Sequence, residues 1–343
     1  VGVAAGRVGR SERWLHTWLR RFEAEGDNGL RDRSRAPRSR PTATRPEVVA
    51  KILAVRDELE GHPFANRGAE AIRYELVREG FEPLVSRATI ERVLQRAGRT
   101  RTLKRSTPRA DRRPLPQVKG LPGIWQQIDW VGPRYLARRV RFSSLHVVDV
   151  GGGGAAAAQY PDEQLHRTVG FLTDRAWPSL SIPLHLQTDG AFVAQPPGRQ
   201  PRPFNVFVRT CLFFGVEVVI SPPEELGWQN WVESFNGLWQ ARTIRRHTYR
   251  TVKEVSADSD RFITYYLTER PHPQLRAATH HTRLPAELID RHRSQLRFPP
   301  PGFTVADHQD RHGRLRIPLA QGRLSYLCRV ATGGVIHIAR HPY

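Results

Sequence analysis

Residues 227–240 read GWQNWVESFNGLWQ, and the pattern within them organises the whole chain. At 3.6 residues per turn, Trp228, Val232, Phe235 and Trp239 form one apolar stripe, while Asn230, Glu233, Asn236 and Gln240 lie on the opposite face. Such a helix buries its aromatics and presents Glu233. Upstream, QQIDWVGP (126–133) and LHLQTDGAF (184–192) each hold a short apolar run that the pattern reads as a strand ending in an acid, Asp129 in the first and Asp189 in the second. Placed side by side in one sheet, the two strands bring Asp129 and Asp189 to the edge where the helix delivers Glu233.

Three converging carboxylates repel one another, and one of them takes up a proton unless a cation neutralises the site. Hard oxygen donors at this density suit Mg²⁺ or Mn²⁺, two per active site. Two ions about 3.5–4 Å apart can activate an attacking oxygen and stabilise the leaving oxygen of a phosphodiester. That chemistry needs no nucleotide cofactor. The GGGGAAAA run at 151–158 agrees, because no GK[ST] follows it and no GxGxxG opens a helix. It reads as a turn entering another strand.

Further strands are predicted at 144–150 and 216–220, alongside those at 125–130 and 184–188, with helical segments between. Beyond the Pro-rich FPPPGF (298–303), short strands around 315–318, 324–330 and 335–339, punctuated by glycines, predict a small terminal β-barrel.

The region before residue 120 is helical in pattern. VAAGRVGRSERWLHTWLRRF (3–22) reads as a short helix, a turn at Gly9, a cap at Ser11 and an amphipathic helix carrying Trp14, Leu15, Trp18, Leu19 and Phe22. This is helix-turn-helix spacing, and a preceding helix is expected before Val1. Residues 46–60 and 68–80 predict two more helices, and Ser86 caps a third, ATIERVLQRAG, whose opening suits a DNA-recognition helix. Between and after these units lie basic, Pro-containing linkers. RDRSRAPRSRPTATR (31–45) is one, and a second follows Gly98 with Arg101, Lys104, Arg105 and further arginines.

Composition supports a polyanionic partner. The 343 residues hold 54 Lys plus Arg against 33 Asp plus Glu, a formal net charge of +21. Only Lys51, Lys104, Lys119 and Lys253 are lysines; the remainder are arginines, whose guanidinium fork pairs with phosphate and guanine. The two cysteines, Cys211 and Cys328, form no CxxC, so neither a disulfide framework nor a Cys-based zinc site is indicated. No apolar run is long enough for a membrane span, and a soluble, cytoplasmic, nucleoid-associated protein is expected.

The order helix-turn-helix, basic linker, second helix-turn-helix, D-x-x-G-P, T-D-G and N-x-x-E-x-x-N, with a terminal β-domain, resembles the DDE transposases of bacterial insertion sequences, relatives of retroviral integrases. The resemblance spans nearly the whole chain and includes GLRDRSRAP (29–37). It implies a multidomain protein. Residues 1–30 form an all-α helix-turn-helix incomplete at its N-terminus, 31–45 a linker, 46–98 a second DNA-binding helix-turn-helix and 99–119 a second linker. A ribonuclease H-like α/β core follows at 120–290 and a β-barrel at 300–343. It also implies Asp129, Asp189 and Glu233 as catalytic metal ligands, with Asn230 and Asn236 supporting them. The family usually has Asn between the second Asp and Gly, where Gly190 here follows Asp189 directly, and often Gly where this chain has Trp231. The interval from Asp189 to Glu233 is longer than usual, with the excess in AQPPGRQPRPF (194–204).

The implied partners are double-stranded DNA, both as terminal inverted repeats and as target, and further copies of the chain holding paired ends. Candidate DNA contacts are Arg13, His16, Thr17 and Arg20 in the first unit and Arg87, Thr89 and Arg92 in the second. The linkers add Arg33, Arg35, Arg38, Arg40, Arg101, Lys104 and Arg105, and Arg242, Arg245 and Arg246 are expected to clamp a strand near the metals. His272, His280 and His281 read as surface or DNA-facing residues. Two other readings use the same residues: a repeat-binding regulator without catalysis, and a metal-dependent nuclease without strand transfer.

Overall fold

The computed structural model describes residues 1–34, 43–100, 116–136, 139–192, 204–222, 227–272, 275, 284–311 and 316–327, and the strand backbone at 337–338 and 341–342. It comprises two compact units, Val1–Pro46 and Glu47–Tyr343.

In the first unit, α1 (Gly2–Arg7) and α2 (Glu12–Glu25) are joined by a turn in which Gly9 takes φ 62°. The Ser11 hydroxyl accepts from Trp14 N at 3.3 Å, satisfying one of the free first-turn amides. After α2 the chain folds back in a short 3₁₀ turn, Gly26–Leu30. A Cβ on Gly29 would lie 2.1 Å from the Arg21 carbonyl oxygen, so only glycine permits this approach.

The second unit opens with three helices at the positions the sequence predicts: α3 (Pro46–Gly61), α4 (Ala69–Arg78) and α5 (Arg87–Arg96). Val48, Ile52, Val55 and Leu59 recur every three or four residues on α3, and pack with Ile72 and Leu76 of α4 and Ile90, Val93 and Leu94 of α5. Ser86 caps α5 through Thr89 N at 3.2 Å. The α3–α4 connection docks this bundle on the rest of the unit, where Phe64 meets Phe262 edge-on at 5.6 Å and His62 lies 4.7 Å from Tyr265.

The rest of the unit is a mixed sheet between helices. Its strands are β1 (Trp125–Tyr135), β2 (Arg141–Asp149), β3 (Ala155–Tyr160), β4 (His185–Thr188), β5 (Glu217–Ile220) and β6 (Leu324–Tyr326), in the order β3-β2-β1-β4-β5-β6. Pairing is antiparallel on the β3-β2-β1 side and parallel from β1 to β6. Because side chains alternate between faces, β1 sends Ile128 and Trp130 to one side and Gln127, Asp129 and Val131 to the other. The Ile128 face packs on α6 (Leu165–Phe171), α7 (Trp177–Leu180) and α8 (Val206–Phe213), through Phe171, Trp177 and Phe207. The opposite face carries α9 (Asn230–Arg242) and α10 (Val252–Thr268), through Val232, Phe235, Trp239 and Phe262. Each fully buried aromatic contributes on the order of 2–3 kcal/mol. A last helix, α11 (Pro285–His292), follows α10.

Two expectations change. The strand predicted to end at Asp129 continues to Tyr135, so Asp129 lies inside β1. The terminal β-barrel is not formed among the described residues: Leu324–Tyr326 extends the core sheet as β6, because Val218 and Ile220 leave a parallel edge open for it, and β7 (His337–Ile338) and β8 (His341–Pro342) pair only with each other. The GGGGAAAA run is a turn and strand, as read. A Cβ on Gly151 would lie 2.0 Å from the Leu121 carbonyl oxygen, so the turn backbone packs directly on the segment before β1.

Asp149 at the end of β2 closes this turn. Its Oδ1 accepts from Gly152 N at 2.6 Å and its Oδ2 from Gly123 N at 2.7 Å. Burial nonetheless dominates these amide contacts and pushes its pKa up to about 6. The folded protein therefore holds this proton more tightly than the unfolded chain does. The associated stability is complete at acid pH and is lost as pH rises from the ordinary carboxylate range through about 6. In urea unfolding, the stability difference between wild type and Asp149→Asn is expected to shift against the wild type by roughly 3 kcal/mol across that window.

Candidate functional site

The site is built where β1, β4 and α9 meet. Gln127 and Gln187 face each other across the parallel β1–β4 pair. Asp129 follows two residues later on the same face of β1, the one covered by α9, and Asp189 stands just past the end of β4. Gln127 fixes that helix from below: its Oε1 accepts from Trp231 N at 3.2 Å and Val232 N at 3.1 Å, two first-turn amides with no partner inside the helix. Its Nε2 donates to Gln187 Oε1 at 2.8 Å and to the Trp228 carbonyl at 3.1 Å. Gln187 Nε2 donates to the same carbonyl at 3.0 Å. A buried glutamine pair thus ties the start of α9 to the strands bearing both aspartates, and Glu233 stands in the first turn of that helix.

One turn after Glu233, Asn236 Nδ2 donates to Asp129 Oδ2 at 2.7 Å. Asn236 is buried, and its Oδ1 lies 2.6 Å from His146 Nδ1. His146 sits directly across the β1–β2 ladder from Asp129, and its Nε2 lies 2.7 Å from the Ser144 hydroxyl. Burial pushes the His146 pKa down to about 4, so the ring is neutral with one N–H. Since the Asn236 amide nitrogen is used on Asp129, its oxygen faces His146, which places that N–H on Nδ1 and leaves Nε2 to accept from Ser144. The chain Ser144–His146–Asn236–Asp129 therefore has one consistent direction.

The Asp129 pKa is raised to about 7, first by burial and then by the negative charges of Asp189 and Glu233, against the lowering effect of the Asn236 hydrogen bond. Both other acids thus act on Asp129. Asp189 is half-buried and accepts from Ala191 N at 3.0 Å, while Glu233 is exposed. Among the described residues, no group of three or more His, Cys, Asp or Glu side chains gathers closely enough to hold a metal ion. The donor set nevertheless fits a divalent cation in kind. It offers carboxylate oxygens, one of them on an acid whose ionisation is resisted by burial and by like charge, and a cation reverses both effects.

Asn230 begins α9, and its Oδ1 is buried without a partner among the described residues. Arg242 follows Glu233 by nine residues, roughly 13 Å along the helix axis and on its opposite side. There it donates to Asn66 Oδ1 at 3.3 Å, away from the acids. Arg245 and Arg246 are exposed just beyond it. Arg134, near the end of β1, donates to Gln240 Oε1 at 2.5 Å, and Gln240 stands two turns after Glu233 along α9.

Arg13, His16, Thr17 and Arg20 are all exposed on α2, with the Thr17 hydroxyl turned back to the Arg13 carbonyl at 2.8 Å. Arg33 pairs with Glu25. On α5, Arg87 pairs with Glu91 at 2.7 Å, and Arg92 folds along the helix toward Thr89 at 3.3 Å. Arg35, Arg38, Arg40, Arg101, Lys104, Arg105, His280, His281 and Cys328 lie outside the described residues. His272 is not a surface residue; it is buried beneath Tyr266. Cys211 is buried with its thiol pKa pushed up, so no reactive thiolate is offered there. No helix among the described residues is long and apolar enough to cross a membrane.

Gln127, Gln187, His146 and Arg134 escaped the sequence reading. The only trace of the first two is that each polar residue interrupts an apolar strand two places before an aspartate.

The sequence profile of a homeodomain-like domain matches residues 14–94, which run from α2 to α5. No curated protein matches the chain. Among solved structures, the chain is similar to the simian T-cell lymphotropic virus intasome in complex with PP2A regulatory subunit B56 gamma, at 18% identity over 64% of this chain and 70% of that one, with a TM-score of 0.39. It is similar to the HTLV-2 integrase catalytic core domain in complex with magnesium, at 16% identity over 48% and 96% of the respective chains, with a TM-score of 0.35. It is also similar to the catalytic core domain of BIV integrase, at 16% identity over 50% and 98%, with a TM-score of 0.36. These likenesses are distant, and function is argued below from the chain's own side chains.

Proposed function

We propose that the chain is a DNA transposase of the DDE type, which binds terminal inverted repeats and cuts and joins DNA strands. The observation that carries this reading is that Gln127 and Gln187 pair across the adjacent parallel strands β1 and β4, with Asp129 two residues on within β1 and Asp189 just past the end of β4, under a helix that holds Glu233 in its first turn and bonds Asp129 through Asn236. Asp129, Asp189 and Glu233 would hold Mg²⁺ or Mn²⁺, which when bound supplies activation of the attacking oxygen and neutralisation of charge at the leaving oxygen of a phosphodiester. The protein's part is positional. Gln127 and Gln187 fix the helix, and Asn236, oriented by His146, keeps one oxygen of Asp129 engaged so that the other faces the reacting strand. Both hydrolysis at a transposon end and attack by the freed 3′-hydroxyl displace an oxygen from phosphorus directly, so no protein nucleophile is required.

The helices of residues 14–94 supply recognition, with exposed Arg13, His16 and Arg20 on α2 and Arg87 and Arg92 on α5 available to DNA. With a net charge of +21, end binding is expected to weaken about 10³–10⁵-fold between 50 and 200 mM salt if six to ten phosphates are contacted, as read by filter binding across a salt series.

The test combines purified protein, Mg²⁺ or Mn²⁺, a labelled copy of the inverted repeat flanking the gene and a supercoiled target. Joined products support the transposase. Cleavage without joining identifies a nuclease instead. Binding without either identifies a regulator, the reading that the open spacing of the three acids favours.

A further inference from the structure

By its helical spacing, α9 turns Trp231, Ser234, Phe235 and Leu238 away from the Glu233 side. These residues, with Tyr266, Arg270 and His272 from α10 and the segment after it, enclose a cavity of about 190 Å³ that reaches Asp149 and Gly153 at the end of β2. The polar atoms left unpaired there are donors. Arg270 Nε and Nη1, His272 Nδ1 and Trp231 Nε1 are all buried without a hydrogen-bond partner among the described residues. His272 is only 7% exposed.

The direction of each donor follows from its neighbours. The Arg270 guanidinium lies 4.8 Å from the centre of the Tyr266 ring. The Tyr266 hydroxyl lies 3.1 Å from His272 Nε2 and is placed to donate to it. With Tyr266 as the donor, the ring proton of neutral His272 stands on Nδ1. Burial and the Arg270 charge push the His272 pKa down to about 3, so the ring stays neutral with that one N–H. The acid bordering the cavity, Asp149, has both oxygens engaged by backbone amides. Arg270, His272 and Trp231 thus line one cavity with nitrogens that have no hydrogen-bond partner among the described residues, and burying such groups unpaired costs about 1–3 kcal/mol each.

Further guanidinium groups lie near Arg270. The Arg242 pKa is lowered first by burial and then by Arg67, Arg246 and Arg270, so three other guanidinium groups act on that of Arg242. Acceptor-rich and strongly anionic groups suit such a place. Trp231, Phe235 and Tyr266 offer aromatic walls to a planar group attached to the anion.

We propose that this cavity is a phosphate-binding site, separate from the carboxylate site on the other side of α9, which receives the phosphoryl group of a nucleotide through Arg270, His272 and Trp231. The nucleotide is either free or the terminal residue of a DNA strand, since the phosphoryl chemistry is shared. The site does not depend on the chain being a transposase.

Its test uses the full chain without divalent cation, so that cleavage plays no part. Inorganic phosphate is titrated at constant ionic strength against acetate, with binding read by calorimetry and by thermal unfolding. Saturable phosphate binding that raises the Tm, with no such effect from acetate, is expected. Affinity should fall at least tenfold in Arg270→Gln and severalfold in Trp231→Phe, which removes the donor while keeping an aromatic wall, and should be unchanged in Arg141→Gln on the exposed end of β2. Should Arg270→Gln fail to fold, Trp231→Phe and His272→Gln carry the comparison. Displacement of phosphate by a 5′-phosphorylated oligonucleotide but not its unphosphorylated twin assigns a strand end, and displacement by a mononucleotide alone assigns a free nucleotide. Absence of saturable binding, an equal response to acetate, or unchanged affinity in every folded cavity variant overturns the site.

Discussion

Glu233→Gln is expected to reduce strand cleavage and joining about a thousandfold or more while leaving affinity for the inverted repeat within a few fold. The substitution keeps side-chain length and removes one negative charge from the trio that acts on Asp129. Charge stabilisation by bound divalent ions is worth several kcal/mol in phosphoryl transfer, and each 1.36 kcal/mol is about a factor of ten in rate. Binding is spared because Glu233 is exposed in the first turn of α9, whereas the helices available for recognition belong to residues 14–94. Parallel gel-shift and cleavage assays on the same preparation decide the matter. Loss of binding together with cleavage would count against the separation of reading and cutting, and retained cleavage would remove Glu233 from the site.

Gln127→Leu is expected to be the most damaging single change among the uncharged residues around the site. Leucine matches the glutamine in bulk but leaves Trp231 N and Val232 N without their acceptor, and the Trp228 carbonyl and Gln187 Oε1 each without one donor. Each buried group stripped of its partner costs about 1–3 kcal/mol, and two of these retain a second contact, so a net loss of about 3–5 kcal/mol is expected in urea unfolding. Activity should fall further than stability accounts for, because the start of α9 is then free to shift and carries Glu233 with it. Measured well below the unfolding midpoint, cleavage by Gln127→Leu should be at least tenfold below wild type; activity equal to wild type in the folded fraction would show that the glutamine pair does not position Glu233.

The contrast between these two residues shows what kind of information each level holds. Glu233 was legible because a helix repeats every 3.6 residues: the aromatic stripe of Trp228, Val232, Phe235 and Trp239 defines a buried side, and a charged residue opposite it stands out. Asp129 and Asp189 were legible because acids interrupt short apolar runs. Gln127 and His146 gave no such signal. A buried glutamine or histidine in a strand is unremarkable until its partners are known, and these partners lie far along the chain at Trp231, Val232 and Asn236. The same holds for Arg270, His272 and Trp231, whose cavity exists only once α10 lies beside α9.

Local periodicity and capping therefore determined the helices from α2 to α5, the run of strands and the basic character, since each depends on neighbours within a few residues. Tertiary structure alone decided that Asp129 lies within β1 and not at its end, that Leu324–Tyr326 joins the core sheet and not a separate barrel, and that Arg242 points away from the acids. The physical reason is common to all three. Strand length, edge pairing and the sharing of a site between distant residues are settled by hydrogen bonds and burial across the sheet, where partners are chosen by position in space and not by spacing along the chain.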